Sequence, residues 1–396
     1  MPVEFIISSK HPYDAGLQVS KCSFHPREPV LACAIDGGKI CLYHKQHIEC
    51  KGAAELIVPL SQWNETVLNP VPTQHPISGI SCLQWDVEGK RLAVGYENGT
   101  LILWSRDGCR LFERRKHTSR IWSIRWNPIL LNVFASGSND RSALVWDADK
   151  KPSPLVQRFV AHDGDQIHDV VWISDIQFAS FSRDQNDGIV HICQMGRETP
   201  IMTFVHGDSI DALKWNGRFN LLASVSSSSD KQLLLQVWSP IRRDPIRRLN
   251  YADKSRVGCV DWFPPGRESD SLFIVGGCAD GSVIVWNLND DEDQHQTLYG
   301  HSVAVNDVSF SPDRRWLASL DRDGYLIIRL TTVSYVHNFA NHIHLPIELV
   351  PQDWRKVYEA KTGPNHWHQT LSWSGSSDKL AVTNVLSEVF LVEIID

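Results

Sequence analysis

The stretch HTSRIWSIRWNPILLNVFASGSNDRSALVWD, residues 117–147, decides the fold. Three short apolar runs, IWSIRW, VFAS and ALVW, alternate with an Asn-Pro step and a polar turn, SNDRS. Short runs rich in β-branched and aromatic residues between turn-forming residues are typical of β-strands. The stretch therefore predicts three successive antiparallel strands, and such a unit becomes a repeat if similar stretches recur along the chain.

The pattern does recur, and an aromatic residue ends the first strand of every unit. We use these aromatics as a ruler; they are Phe24, Trp85, Trp126, Trp172, Trp215, Trp262, Phe310 and Trp373. Successive gaps are 61, 41, 46, 43, 47, 48 and 63 residues. A spacing of about 40–45 residues is typical of four-stranded propeller blades. The chain is therefore predicted to be an all-β, eight-bladed WD-repeat β-propeller.

The apolar residues before each ruler aromatic predict a local irregularity. Apolar residues stand five and two positions before it in seven units, and only His368 breaks the rule in the eighth. This spacing does not fit the two-residue period of a strand. A β-bulge, which adds one residue to one strand, restores the register. The residue four positions before each aromatic is therefore predicted to point away from the core.

The whole chain, residues 1–396, is predicted to be a single propeller with insertions at about 44–76 and 340–366. In the first insertion, AELIVPL (54–60) is interpreted as the outer strand of blade 1 and NETVLNPVPTQHP (64–76) as an ordered loop. In the second, DWRKVYEA (353–360) is interpreted as a short helix.

The two ends of the chain are predicted to share a blade. Residues 3–8, VEFIIS, form a strand before the first unit, whereas the eighth unit stops at its third strand. The N-terminal strand can supply the missing outer strand, and closing a ring in this way removes exposed sheet edges. We therefore expect the N-terminal strand to close the ring and the isolated chain to be a monomer.

Composition narrows the class of protein. A formal net charge of −7 weighs against general nucleic-acid binding. The nine cysteines show no paired spacing, which favours buried, reduced thiols and an intracellular protein. The N-terminus does not resemble a signal peptide, and no apolar run approaches the length of a membrane span. We expect protein or peptide partners, with neither direct nucleic-acid contact nor membrane contact.

Residues that resemble a catalytic set are interpreted as structural. His117, Ser136, Asp140 and Trp146 combine a histidine, a hydroxyl and a carboxylate. Partial copies recur in other blades, as His162 with Asp184 and as His301 with Ser319 and Asp323. A constellation repeated around a ring is expected to be a hydrogen-bonded network that joins strands. The sequence has no phosphate-binding glycine loop and no nucleophile elbow, so no enzyme activity and no cofactor are predicted.

Two His-x-His pairs flank the second insertion, at His342/His344 and His366/His368. Alternate residues of a strand share a face, which allows a metal site. No Cys or carboxylate cluster stands nearby to complete one, and no metal is predicted. Two basic runs, 114–116 and 242–248, are interpreted as a solvated rim, with a nuclear-import signal or a patch for an acidic partner left open.

The predicted binding face is built from the bulge positions and their neighbours. Trp122 stands out because a large aromatic at a bulge has no core to fill, although packing against a neighbouring blade is the alternative. Exposed aromatics at concave sites are typical binding anchors. Acidic residues fall on blades 1 and 2 and basic ones on blades 6 and 7, which predicts a partner segment with an apolar anchor and charges of both signs. The candidate residues are Trp122, Trp367, Arg120, His168, Asp211, Arg256, Asn306, Gln369, Asp36, Glu97, Asn139, Arg183 and Arg322.

The amino-acid sequences of the repeats resemble those in the propeller of the transducin beta-like family of corepressor subunits. The stretches that carry the resemblance are ISCLQWDVEGKRLAVG (80–95), GTLILWSRDGCRLF (99–112), IWSIRWN (121–127) and residues 178–226. In the last of these, the blade ends in His191-Ile192-Cys193-Gln194-Met195-Gly196 instead of Trp-Asp, as the family's fourth blade does. The resemblance covers about residues 18–330 and, more weakly, blade 8.

The resemblance implies an eight-bladed propeller in nuclear corepressor complexes with a class I histone deacetylase, linked to histone tails and to ubiquitin-pathway components. The sequence departs from the family because no LisH or F-box-like region precedes the first repeat, and Arg329 replaces a Trp in blade 7. Its second insertion is also unusual. Met1 and a self-sufficient propeller favour a divergent paralogue over a fragment.

The predicted function is a non-enzymatic interaction scaffold, a nuclear, chromatin-associated subunit that binds a peptide segment on the propeller face. Two alternatives stay open: a substrate-recognition adaptor of a ubiquitin ligase, and a cytoplasmic signalling adaptor.

Overall fold

The described part of the chain consists of eight four-stranded antiparallel sheets. The computed structural model describes residues 4–10, 19–45, 63–68, 78–160, 162, 166–182, 188–206, 209–227, 235–249, 256–265, 272–289, 295–334, 350–362, 371–383 and 389–395. One strand, β1 (Glu4–Lys10), precedes the first blade. A single 3-10 turn, Asp36–Gly38, is the only helical element in these ranges.

The first four blades each contain four strands in sequence order. Blade 1 contains β2 (Val19–Phe24), β3 (Val30–Ile35), β4 (Lys39–His44) and β5 (Asn64–Leu68). Blade 2 contains β6 (Ile80–Trp85), β7 (Arg91–Tyr96), β8 (Thr100–Ser105) and β9 (Arg110–Arg115). Blade 3 contains β10 (Ile121–Trp126), β11 (Val133–Ser138), β12 (Ala143–Asp147) and β13 (Leu155–Phe159). Blade 4 contains β14 (Ile167–Trp172), β15 (Gln177–Ser182), β16 (Ile189–Gln194) and β17 (Met202–Val205).

Blades 5 to 7 repeat this order, whereas the fourth strand of blade 8 is the N-terminal strand β1. Blade 5 contains β18 (Ser209–Asn216), β19 (Leu221–Ser227), β20 (Leu235–Trp238) and β21 (Arg247–Leu249). Blade 6 contains β22 (Val257–Trp262), β23 (Phe273–Cys278), β24 (Val283–Asn287) and β25 (His295–Leu298). Blade 7 contains β26 (Val305–Phe310), β27 (Trp316–Asp321), β28 (Tyr325–Ser334) and β29 (Val350–Lys361). Blade 8 contains β30 (Leu371–Trp373), β31 (Lys379–Thr383) and β32 (Val389–Ile395).

The ring closes as predicted, by pairing the two ends of the chain. β1 is antiparallel to β32, with Glu4 opposite Ile395 and Lys10 opposite Val389. The first strands of successive blades contact one another, and those of blades 1 and 8, β2 and β30, also meet. The eight-bladed propeller and its closure by the N-terminal strand are therefore confirmed.

The ruler aromatics join neighbouring blades. Four ruler tryptophans donate their indole N–H to a backbone carbonyl of the preceding blade: Trp126 to Gln84 at 3.2 Å, Trp172 to Arg125 at 2.8 Å, Trp262 to Lys214 at 3.0 Å and Trp373 to Ser309 at 3.3 Å. In each case the acceptor is the residue just before the ruler aromatic of that blade. A buried indole N–H needs a partner, so this bond both satisfies the ring and fixes the spacing between blades.

Two assignments within the predicted insertions were wrong. The outer strand of blade 1 is Asn64–Leu68, which is part of the loop predicted over 64–76; AELIVPL (54–60) lies outside the described residues. DWRKVYEA is not a helix, because it belongs to the twelve-residue strand β29, which pairs with β28 as the outer strand of blade 7. Tertiary pairing overrides local propensity in such short segments. Trp354 of β29 is buried and packs against Phe310, which anchors the strand.

The cysteines are mostly core residues. Eight of the nine are described; all eight are free thiols, and all except Cys109 are buried. Burial raises the pKa of four of these thiols to about 12, which keeps them protonated: Cys22, Cys82, Cys193 and Cys278. They behave as small apolar side chains between the blades.

Deleting residues 1–10 should destabilise the ring because it exposes the edge of β32. Seven cross-strand pairs are lost, which we expect to lower the free energy of unfolding by on the order of 3–5 kcal/mol. Thermal melting with light scattering would show a lower Tm and earlier aggregation. A synthetic peptide of residues 1–10, added in excess, should restore part of the loss; an unchanged melting curve for the truncated chain would contradict the role of β1.

Candidate binding face

Bulges in the first strands create the predicted surface. In seven blades the pairing of the first two strands shifts register across one residue. The skipped residues are those predicted from the spacing: Ser20, Ser81, Trp122, His168, Asp211, Gly258 and Asn306. Because the first strands contact one another around the ring, these residues all lie near the axis at the end where those strands begin. We call this end the bulge face.

Five predicted residues from blades 2, 3 and 4 meet on the bulge face in one group, which we call the Trp122 cluster. The rings of Trp122 and His168 stack with centroids 4.9 Å apart and planes inclined by 29°. The Arg120 guanidinium carbon lies 4.2 Å from the Trp122 ring centroid. The indole N–H of Trp122 donates to Asn139 Oδ1. Arg120 Nη1 lies 3.6 Å from Glu97 Oε1.

These contacts position Trp122 without burying it. Its side chain is half-buried, and both Arg120 and His168 use the π face of the indole. The stack and the cation–π contact each stabilise the arrangement by about 0.5–1.5 kcal/mol, whereas the exposed Arg120–Glu97 pair contributes about 1 kcal/mol or less. Trp122 therefore packs against the neighbouring blade, the alternative considered above, and still presents part of its surface to solvent.

A second charged pair lies on blades 5 and 6. Arg256 Nη2 is 2.6 Å from Asp211 Oδ2, and the Asp211 side chain is nearly buried while that of Arg256 is half-exposed. Glu97 and Arg256 therefore belong to blades 2 and 6, as expected from the sequence, and each also has a side chain of opposite charge beside it.

Of the remaining predicted residues, the structure describes Asn306 and Arg322 in full. Asn306 is half-buried at the bulge of blade 7, and Arg322 is exposed in the next hairpin, where its N–H donates to Ala304 O at 2.9 Å. Trp367, Gln369 and Arg183 lie outside the described residues, as does the side chain of Asp36.

Sequence reasoning missed a set of polar links near the axis. The residues one and three positions before the ruler aromatic bond to the next blade. Arg125 and Asp169 form an ion pair at 2.6 Å, and Lys214 and Asp261 form one at 3.5 Å. Asp307 Oδ2 accepts the Leu371 N–H at 2.8 Å. The signal was available, because these positions alternate with the core positions along each first strand.

Asp307 has the most perturbed pKa among these carboxylates. Burial raises its pKa to about 6, against the opposing effect of the Leu371 N–H bond and the Lys214 charge. These links join blades rather than form a cleft, so the residues with perturbed pKa values here have a structural role.

The His-Ser-Asp-Trp set of blade 3 forms the predicted network. His117 Nε2 is 2.8 Å from Ser136 Oγ, and its Nδ1 is 3.0 Å from Asp140 Oδ2. Trp146 donates its indole N–H to the same Ser136 oxygen at 2.9 Å. The histidine, serine and tryptophan side chains are buried, which leaves no access for a substrate. The network joins the outer connection to β11 and β12.

Blade 7 carries a variant of this network. His301 bonds Ser319 at 2.8 Å and Asp321 at 3.0 Å; the predicted partner Asp323 was wrong, because the carboxylate comes from the position that Ser138 occupies in blade 3, two residues before the position of Asp140. Arg329 replaces the tryptophan and donates to Ser319 Oγ at 3.3 Å and to Tyr299 O at 2.8 Å. Burial lowers the pKa of Arg329 to about 10, so a buried cation occupies the place of an indole.

Both His-x-His pairs, the possible metal ligands in the sequence, lie outside the described residues. Within the described ranges, no three His, Cys, Asp or Glu side chains lie together in an arrangement that could hold a metal ion. The described part of the chain also holds no helix that could span a membrane.

Comparisons with known proteins agree with this architecture. The family model described as "WD domain, G-beta repeat" matches residues 243–287 and 292–328. The fold is a β-propeller, and these matches lie within its blades 5 to 7. A second model, described as "Anaphase-promoting complex subunit 4 WD40 domain", matches residues 53–129. The C-terminal WD40 domain of Sif2 has the same fold, with a TM-score of 0.71, 21% identity, and coverage of 98% of this chain and 99% of that chain.

Relatives of known name support the resemblance to the transducin beta-like proteins, which is confirmed. The human F-box-like/WD repeat-containing protein TBL1Y is 26% identical over 300 residues, covering 76% of this chain and 55% of its own length. Mouse TBL1X gives the same identity, over 76% of this chain and 54% of its own length. The B-type cell cycle switch protein ccs52B of Medicago truncatula is 24% identical over 60% of this chain and 46% of its own length. The chain spans about half the length of these curated relatives.

Replacing Asp140 with Asn should reveal the pH dependence of the blade 3 network. Burial alone would raise the pKa of Asp140, but the hydrogen bond and charge of His117, with the Ser142 hydroxyl and the Thr118 N–H, hold it well below its usual range. A depressed folded-state pKa stabilises the fold above the unfolded-state pKa, about 3.9, and this stability is lost as pH falls. Asp140→Asn should cost about 2 kcal/mol at neutral pH. In urea titrations from about pH 7 down to about pH 2, the gap between the two proteins should begin to shrink below about pH 3.9; a constant gap would contradict the assignment.

Arg329→Trp should increase stability. The indole can donate to Ser319 Oγ as Trp146 and Trp238 donate to Ser136 and Ser224, at 2.9 and 2.7 Å. Replacing a buried charge by a well-packed apolar ring is commonly neutral or stabilising, and we expect a gain of about 1 kcal/mol in the free energy of unfolding. Arg329→Met, which has no N–H donor, is the control and should gain less. A clear loss of stability in Arg329→Trp would show that blade 7 depends on the cation.

Proposed function

We propose that this propeller is a non-enzymatic interaction scaffold that binds a peptide segment on its bulge face, as a subunit of a nuclear, chromatin-associated complex of the corepressor and histone deacetylase type. The coarser statement, a protein-interaction scaffold, follows from the WD-repeat fold. The peptide site and the complex are the new parts of the proposal.

The Trp122 cluster carries the proposal. A half-buried aromatic held in one orientation by its neighbours loses little side-chain entropy on binding, which makes it an effective anchor. Its neighbours Arg120, Glu97 and His168 surround it with donors and acceptors. Aromatic anchors ringed by polar groups are typical of the centres of protein interfaces.

The charge pairs define the kind of segment. Glu97 with Arg120, and Asp211 with Arg256, place both signs side by side on the bulge face. A partner with an apolar anchor and charges of both signs can exchange the exposed Glu97–Arg120 pair for contacts of its own at small cost, since exposed pairs contribute little. A uniformly basic tail would leave Arg120 and Arg256 facing like charge.

Similarity to the TBL1 proteins supports the corepressor assignment and the nuclear location. A substrate-recognition adaptor of a ubiquitin ligase is a second candidate. It is favoured by the match to the "Anaphase-promoting complex subunit 4 WD40 domain" model, by the cell cycle switch relative, and by fold similarity to a chain of the mitotic checkpoint complex at a TM-score of 0.58.

Affinity purification with quantitative mass spectrometry would separate the two candidates. Wild-type protein should enrich deacetylase and corepressor subunits together, and Trp122→Ala should lose them. Enrichment of ubiquitin-ligase subunits would instead support the adaptor function. Recovery of neither group would contradict both candidates and favour a cytoplasmic signalling role.

Trp122→Ala should weaken binding to the purified partner by about 2 kcal/mol or more, which is typical of an interface anchor. The lost contacts with His168 and Arg120 should lower the free energy of unfolding by only about 1–2 kcal/mol. Calorimetric titration and thermal melting measure the two effects separately.

Tyr299→Ala is the matched control for this measurement. Tyr299 is 75% exposed and lies in the connection between blades 6 and 7, whereas the Trp122 cluster belongs to blades 2, 3 and 4, so its truncation should leave partner binding unchanged. Equal affinity of the Trp122→Ala protein and the wild type would place the functional surface elsewhere.

A further inference from the structure

The two basic runs of the sequence, 114–116 and 242–248, differ in what their guanidinium groups contact. In the run 114–116, Arg114 donates to Glu113 O at 2.8 Å and to Pro152 O at 3.0 Å. Arg115 donates to Asn98 O at 3.0 Å. These two guanidinium groups bind the propeller itself, so this run is largely used for structure.

The second run is arranged differently. Arg242 and Arg243 lie in the connection between β20 and β21, and Arg248 lies on β21; all three are exposed. In the described part of the chain none of the three forms an ion pair or a side-chain hydrogen bond. Arg247 stands beside them, and Asp244 is the one acidic residue of residues 239–249. The chain as a whole carries a net charge of −7, so this is a local concentration of positive charge on an acidic protein.

Apolar side chains accompany these arginines. Ile241 is 79% exposed, the largest value among the large apolar side chains of the described residues, and Ile246 is 40% exposed. The connection is held at both ends, because Arg242 N donates to Ser239 O at 3.1 Å and Ile246 N donates to Val237 O at 2.7 Å. We call Ile241, Arg242, Arg243, Ile246 and Arg248 the blade 5 corner.

The blade 5 corner is distinct from the bulge face. First strands begin at the bulge face, and in an antiparallel blade the connection between the third and fourth strands lies at the opposite end. The corner also lies on the outermost strand of its sheet, in the order β18-β19-β20-β21. A partner bound there would not compete with a peptide on the Trp122 cluster.

We propose that the blade 5 corner is a docking site for an acidic, extended segment of a partner protein that carries an aliphatic residue between its carboxylates. Arginine binds carboxylates through paired, charge-assisted hydrogen bonds. From Arg242 to Arg248 the chain spans at most about 20 Å at 3.3 Å per residue, which matches a segment of about six extended residues. The aliphatic residue packs on Ile241 and Ile246.

An acidic protein segment fits these observations better than a nucleic acid does. Nucleic-acid surfaces combine extended basic stripes with aromatic rings for stacking, whereas residues 241–248 hold four arginines, one aspartate and two isoleucines but no aromatic residue. Opposite charge across a short distance also accelerates association and makes it sensitive to salt.

Fluorescence anisotropy with the full chain tests the proposal. The probe is a short fluorescein-labelled peptide of Glu, Asp and Leu. Its control is a peptide with Gln and Asn in place of Glu and Asp. Labelled oligothymidylate represents the alternative ligand, a nucleic acid. Wild-type protein should bind the acidic peptide, more weakly as salt is added, and should bind the control peptide at least about tenfold more weakly. The triple variant Arg242→Glu/Arg243→Glu/Arg248→Glu should lose at least about tenfold in affinity.

A matched charge reversal on blade 3 distinguishes a site from net charge. Lys150 and Lys151 lie in the corresponding connection between β12 and β13, and Arg158 lies on β13; all three are exposed. Lys150→Glu/Lys151→Glu/Arg158→Glu changes the net charge equally and should leave the affinity within about twofold of wild type, because exposed charges beyond a Debye length are screened. Ile241→Ser should weaken binding of the acidic peptide several-fold.

Four results would overturn the proposal: no binding of the acidic peptide by the wild type, equal loss in both triple variants, equal binding of the neutral peptide, or tighter binding of oligothymidylate. Circular dichroism melting confirms that each variant is folded. If the triple variant does not fold, Arg242→Gln/Arg243→Gln, which changes only the connection, replaces it and should lose several-fold in affinity. Since Trp122→Ala leaves this corner intact, it should bind the probe normally, which keeps this test separate from that of the bulge-face site.

Discussion

Everything in this protein depends on closing eight blades into one ring. Each blade alone is a four-stranded sheet with apolar side chains on both faces, and those faces are buried only because another blade covers each of them. The indole bonds from Trp126, Trp172, Trp262 and Trp373 to the preceding blade set the distance between neighbours. The pairing of β1 with β32 completes the last blade, so the eighth interface can form as the others do.

Closure also explains where the protein can bind. In the closed ring the first strands contact one another around the axis, so residues that do not enter the core lie at the two ends of the ring or on the outer strands. At the bulge face, the extra residue in the first strand turns Trp122 and His168 out of the core and toward each other. On the outer strand of blade 5, Arg248 is exposed to solvent, as are Arg242 and Arg243 in the connection before it. The two proposed surfaces therefore follow from the same geometric constraint.

The repeated networks show how much substitution this fold accepts. Blade 3 joins His117, Ser136, Asp140 and Trp146, whereas blade 7 uses Arg329 in place of the indole and still bonds the serine. What the position requires is a donor directed at that hydroxyl, and a buried cation meets the requirement at a higher desolvation cost. Such tolerance is consistent with the low identity, 26%, between this chain and relatives that share its repeats.

The sequence alone determined the number of blades, the bulges and the closure, because each depends on a local period: the ruler spacing, the three-residue step before it and the strand left over at the N-terminus. It also identified five residues that meet in the Trp122 cluster, since bulge positions are fixed along the chain. The tertiary structure decided the rest. Asn64–Leu68 and Val350–Lys361 became outer strands because an unpaired edge of β4 or β28 was there to receive them. Glu97 pairs with Arg120, and Asp211 pairs with Arg256, and each pair joins two neighbouring blades. These ion pairs could not be predicted from the sequence, because which side chains meet between two blades depends on the angle between the two sheets.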